Sequence, residues 1–205
     1  RTEPAESNMA MGRTSQANWN HDSFGDVSNS EQTNDLPICN KTYTVFNYNF
    51  TRGTSEALED HTHQLESLYS FLQERDAPAL QQGGLLFSDK FVGRAGGAES
   101  IGNPGCGWTH FPPNITDSTT SYNWYSHTPV ASDCMDWKPD GTGTKTAVSC
   151  ETWGGANCPD DGGTAFKIWW MQSLPGHENG LIYQSHNVRN WWKAVTDFDG
   201  LMAAG

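Results

Sequence analysis

Residues able to do chemistry concentrate between Gly107 and Trp153, in the stretch GWTHFPPNITDSTTSYNWYSHTPVASDCMDWKPDGTGTKTAVSCETW. It holds His110, Asn114, Asp117, His127, Asp133, Asp136 and Asp140. Imidazoles and carboxylates are the ordinary protein ligands of divalent cations. In His110-Phe-Pro-Pro-Asn114 two prolines stiffen the chain, so His110 and Asn114 are held at fixed positions on a loop. Asp133-Cys-Met-Asp136-Trp-Lys-Pro-Asp140-Gly141 has the character of a calcium loop, with hard oxygen ligands alternating with turn residues. It is not an EF-hand, because the spacing differs and the distal Glu is missing. The plainer reading of the same residues is an Asp-Gly turn whose carboxylates cap loop amides. Trp108, Trp124 and Trp137 lie in polar, turn-rich surroundings and are candidates for stacking on sugar faces. Cys134 and Cys150 flank a DGTGTK turn that could return the chain, and they are the expected disulfide.

Other chemistries lack their signatures. There is no G-x-S-x-G elbow, no G-x-G-x-x-G fingerprint and no P-loop. His177-Glu178 lacks the second His of a zincin motif, and no C-x-x-C pair is present.

The elements that must position these residues begin with a helix over about 55–75. Thr54 or Ser55 caps it, Glu56, Glu59 and Asp60 suit its positive end, and Leu58, Leu65, Leu68, Tyr69 and Leu72 form its buried stripe. His61 falls on that stripe and joins His110, Asp133, Asp136 and Asp140 as a candidate metal ligand. His63 falls off it, and on a helix the His61-x-His63 pair diverges by about 200°. Strands are expected at 42–51, where Phe46, Tyr48 and Phe50 alternate, and at 85–92, 146–153, 165–172 and 180–185. In a strand at 165–172 the neighbours Trp169 and Trp170 would face opposite ways, leaving one outside the main core. Trp191 or Trp192, Val195, Phe198 and Met202 recur at helical spacing, giving a C-terminal helix. Residues 1–36 contain few core formers and no periodicity, and read as a polar arm that stays ordered only by lying against something, such as a neighbouring subunit. Residues 37–205 read as one globular domain.

Bulk properties narrow the partners. With 12 basic against 24 acidic residues the net charge is −12, which disfavours nucleic acids and anionic membranes and favours cations. No apolar run approaches the ~18 residues of a membrane span. Mean hydropathy is −0.67, so the core is lean in aliphatics and leans on nine Trp, nine Phe and six Tyr. Five cysteines, together with sequons at Asn40, Asn49 and Asn114, fit an oxidising compartment and glycosylation.

The expectation is an α+β, antiparallel strand-rich domain with one long amphipathic helix, a C-terminal helix and many stapled loops. Its expected role is that of a secreted, disulfide-containing glycoprotein that binds extracellular glycan or self-assembles through its arm. The alternative is a hydrolase or lyase on extracellular polysaccharide that depends on calcium or another divalent cation.

Overall fold

The computed structural model describes residues 8–12, 43–48, 51–74, 84–93, 105–115, 123–176, 181–183 and 186–203. The sequons at Asn40 and Asn49, the Asp117 carboxylate and Cys39 lie outside these.

Its axis is helix α1, Thr54–Glu74. Leu65, Leu68, Tyr69, Phe71 and Leu72 are at most 2% exposed, so the expected stripe is buried from Leu65 onward, with Leu58 half-buried, and in places extends round to a second face. Around α1 pack strands β1 (Asn8–Gly12) and β2 (Tyr43–Asn47), a π-helical segment at Leu86–Phe91 and, later in the chain, α3 (Thr164–Ser173). Between them lie the hairpin of β3 (Val130–Ser132) and β4 (Thr146–Val148), then the short α2 (Cys150–Gly154). The hairpin of β5 (Leu181–Tyr183) and β6 (His186–Val188) and helices α4 (Trp192–Thr196) and α5 (Phe198–Ala203) complete the described elements.

The domain is α+β, but it is helix-dominated rather than strand-rich. Among the described residues the sheets are three separate antiparallel pairs. Two expected strands are helical, and burial explains both. In 165–172 the buried residues are Phe166, Lys167, Trp169 and Trp170, while Ile168 is 40% exposed. That is i, i+3, i+4 spacing, and a helix turns only about 100° per residue, so adjacent tryptophans both reach the core. In 85–92 Phe87 and Phe91 are buried four residues apart. The π-helical bonds Lys90 N–H to Leu85 O (3.1 Å) and Val92 N–H to Phe87 O (2.8 Å) close this segment. Gln73 of α1 secures its start, with its Oε1 accepting from the amides of Phe87 and Ser88 at 3.0 and 2.9 Å. The strand expected at 146–153 forms over Thr146–Val148, and the chain then turns into α2.

Aromatic rings fill the centre. Trp191 lies 5.0 Å from Tyr69 and 5.3 Å from both Phe91 and Trp137, measured between ring centroids. Tyr69 donates to Trp191 O at 2.8 Å and Trp170 Nε1 to Gly107 O at 2.7 Å, whereas Trp191 Nε1 is buried without a hydrogen-bond partner.

The disulfides are Cys106–Cys134 and Cys150–Cys158, not Cys134–Cys150. The turn between Cys134 and Cys150 does return the chain, as β3 and β4 show. In that register Val130 faces Val148 and Ser132 faces Thr146. Cys134 therefore lies beyond one end of the ladder and Cys150 beyond the other, too far apart to bond each other. The arm also departs from expectation. Its residues Asn8–Gly12 pair with β2 of their own domain, from Asn8 opposite Asn47 to Gly12 opposite Tyr43. This described part of the arm pairs within its own chain and gives no support to a contact with a neighbouring subunit.

Candidate functional site

Glu59, His63 and Glu66 stand at i, i+4 and i+7 on α1, so they share one face of the helix. A loop and a second helix meet that face. The loop is Gly105–Ile115. Cys106 anchors it through its disulfide and through its amide, which donates to Phe91 O at 2.8 Å. Trp108 and Phe111 exchange backbone hydrogen bonds of 3.0 and 2.9 Å, which puts Thr109 and His110 at the tip of a tight turn. Gly107 opens that turn with φ of +71°, and a Cβ there would meet Phe111 O at 2.2 Å, so only glycine fits. The second helix is α3, which supplies Lys167.

The side chains interlock. Glu59 Oε1 lies 3.0 Å from His110 Nε2 and 3.9 Å from His63 Nε2. Glu59 Oε2 accepts from Lys167 Nζ at 2.8 Å. His63 turns its other nitrogen, Nδ1, to Glu66 Oε2 at 2.9 Å. Glu66 Oε1 accepts from Thr109 N and Oγ1 at 2.6 and 2.5 Å. The rings of His63 and His110 meet edge to face, with centroids 4.9 Å apart. His110, His63 and Glu59 are 24%, 21% and 17% exposed, whereas Lys167 is fully buried. Its ammonium also donates to Ser55 O and Gly162 O, both at 3.1 Å, and sits 4.7 Å above the ring of Trp124.

Charges are tuned accordingly. Burial disfavours ionised Glu59, but the hydrogen bonds and charges of His110 and Lys167 outweigh it and hold the carboxyl down to about 2. Glu66 is buried too, yet His63 and the two donors of Thr109 keep it below the usual range. Burial lowers the basicity of His63, and Glu66, Glu59 and Asp60 more than reverse it. Asp60, next to Glu59 but turned into the protein, goes the other way. It is fully buried, neither oxygen has a hydrogen-bond partner, and burial pushes its pKa up to about 7.

Glu59, His63 and His110 form a group that could hold a metal ion, their ligand atoms lying within 4.8 Å of one another. His110 is thus part of a cluster, but its companions are not those expected from the sequence. His61 lies apart, bonded to Tyr48 Oη at 2.9 Å and packed at a tilt against Phe46, with ring centroids 4.3 Å apart. Asp136 accepts from Thr144 N at 2.9 Å and Asp140 from Thr142 N at 3.0 Å, so each closes its own turn, the plainer of the two readings. Asp133 begins the 3-10 turn at Cys134–Asp136 and, among the described residues, belongs to no cluster of metal-ligating side chains. Asn114 is 3% exposed and donates both amide hydrogens, to Ser126 O (2.9 Å) and Thr128 O (2.8 Å). A glycan needs that nitrogen and open space, so this sequon is a structural residue.

The tryptophans expected to stack on sugars are engaged inside the fold. Trp124 is 6% exposed, lies beneath Lys167 and donates to Thr109 O at 3.2 Å, which makes it a support of the site. Trp108 and Trp137 pack against the core. Trp137 also lines a surface cleft with Met135, Lys138, Trp169, Leu174 and Pro175, which holds none of the three clustered ligands. No family model, curated protein or solved structure matches the chain.

Proposed function

We propose that Glu59, His63 and His110 bind a divalent transition metal of the zinc class and that the protein is a metal-dependent hydrolase of an oxidising, extracellular compartment. The observation that carries this is the orientation of His63. Its Nδ1 is taken by Glu66, itself fixed by two donors of Thr109, so Nε2 points at Glu59 Oε1. A carboxylate behind a histidine, presenting the far nitrogen, is the usual outer support of a zinc ligand. Ligand atoms of a tetrahedral zinc site, about 2.1 Å from the metal, lie about 3.4 Å from each other. The distances of 3.0 and 3.9 Å from Glu59 Oε1 bracket that value. Two histidines and one glutamate leave a fourth position for water, which the metal would acidify for attack. Lys167 takes the outer oxygen of Glu59 and leaves the inner one for the metal. Two disulfides support the compartment.

Titration of zinc into the chelator-treated chain tests the reading by calorimetry. One ion should bind, and more tightly as rising pH removes the proton from His63, whose pKa lies above the ordinary histidine value. His63→Ala and His110→Ala should abolish binding, and Glu66→Gln should weaken it by about 10–100-fold. The zinc-loaded chain should cleave a polymer from a panel of polysaccharides, and His110→Ala should not. Zinc binding that survives both histidine substitutions would end the proposal.

A further inference from the structure

We propose that the Cys150–Cys158 disulfide is a second reactive site, one that undergoes thiol–disulfide exchange with dithiols, with His127 as proton donor and Glu151 holding the imidazole. His127 Nδ1 lies 3.5 Å from Cys150 Sγ and 3.7 Å from Cys158 Sγ, so it can serve whichever sulfur leaves. The same nitrogen is 2.6 Å from Glu151 Oε1. Glu151 is steadied in turn by the hydroxyl of Ser149. A disulfide that serves only as a staple has no need of an acid–base pair against both sulfurs.

Access differs between the two sulfurs. Cys150 is 1% exposed, while Cys158 is half-buried and follows the exposed turn Gly155–Asn157. Cys158 is also held at φ of +40°, a left-handed conformation that a non-glycine residue leaves readily once released. The incoming thiolate therefore bonds to Cys158 Sγ. The Cys150–Cys158 bond breaks, its electron pair goes to Cys150 Sγ, and the protonated His127 delivers its Nδ1 proton there. The second thiol of the reagent then attacks its own sulfur in the mixed disulfide and releases Cys158. The dithiol is oxidised by two electrons, and the protein holds two thiols able to reduce another disulfide.

The Cys106–Cys134 bridge is the internal control, since its cysteines are 0% and 3% exposed. With free thiols blocked beforehand, the folded chain would be treated with dithiothreitol, quenched with iodoacetamide at intervals and mapped by peptide mass. Cys150 and Cys158 should be labelled well before Cys106 and Cys134. His127→Ala should slow that labelling on the order of tenfold, below the ~10²–10⁴ of an enclosed acid–base group because this one is exposed. Added imidazole should restore part of the rate, which a merely structural role would not allow. Equal rates for the two bridges, or His127→Ala with an unchanged rate, would overturn the proposal. A second measurement needs no folding comparison: the wild-type chain should accelerate dithiothreitol reduction of insulin, and no acceleration would overturn it equally.

Discussion

Among the described residues are two histidine–carboxylate clusters whose bond lengths barely differ and whose surroundings differ greatly. His110 to Glu59 is 3.0 Å and His63 to Glu66 is 2.9 Å, while His127 to Glu151 is 2.6 Å. The first two pairs are wedged between α1, the Gly105–Ile115 loop and a fully buried Lys167. The third stands in solvent, with side chains 67% and 44% exposed. Charges removed from water are expensive to separate and tightly coupled to folding, whereas exposed pairs contribute little. Distance does not distinguish these clusters; burial does. The buried one has the preorganisation that a metal site demands, and the exposed one has the access that an exchange reaction demands.

The strongest way to break that contrast is Lys167→Met. It keeps the volume and deletes the cation, leaving Glu59 partly buried beside His110 with its outer oxygen unpaired. Removal of one partner of such a pair costs about 3–5 kcal/mol. Urea unfolding of the chelator-treated chain should show a loss near the lower figure, because Glu59 is 17% exposed. Added Glu59→Gln should recover part of it, and so should zinc, by giving Glu59 a second cation. A midpoint unchanged by Lys167→Met would mean that the buried cluster is no more coupled to folding than the exposed one.

How far the sequence foretold these two regions follows from which patterns were local. The long helix was legible because its leucines repeat at 3.6, and the arm was legible as polar. Even the buried cluster has a local trace in Glu59-x3-His63-x2-Glu66. The apolar stripe does not reveal it because His63 falls off that stripe, and a stripe reports what faces the core, not what faces a polar cluster. Lys167 was hidden more deeply. It sits between Phe166 and the Trp pair in a segment that also reads as a strand, and its partner lies 108 residues away. The dense run of Asp133, Asp136 and Asp140 pointed elsewhere because carboxylates in turns cap amides as readily as they bind cations.

Neighbouring carboxyls on α1 sharpen the contrast through pH, in the metal-free chain. The folded-state pKa of Glu59 is depressed from 4.5 to about 2, so its stabilisation is present above 4.5 and is lost as pH falls through about 2. Asp60 is raised from 3.8 to about 7, so its favourable state exists below 3.8 and is lost as pH rises through about 7. Asp60→Asn should therefore stabilise the chain on the order of 2 kcal/mol at pH 8, with the gain fading toward pH 4. Unfolding midpoints at these two pH values check it. A gain that is the same at both would mean that Asp60 is not the group that titrates.

The smallest expected effect falls on the exposed cluster. Glu151 is held down to about 2 by Ser149 and His127, yet it stands in water, where a pairing of this kind does little for the fold. Glu151→Gln should leave both the thermal midpoint and zinc affinity where they are. It should nevertheless slow the reduction of Cys150–Cys158, because the imidazole loses the partner that holds Nδ1 against the sulfurs. The effect should be smaller than that of His127→Ala, since glutamine can still accept a hydrogen bond from the ring. Scanning calorimetry and the labelling rate, taken on the same variant, separate the two roles. A lowered midpoint with an unchanged rate would make this pair a structural clasp, and the two clusters would then differ in strength but not in kind.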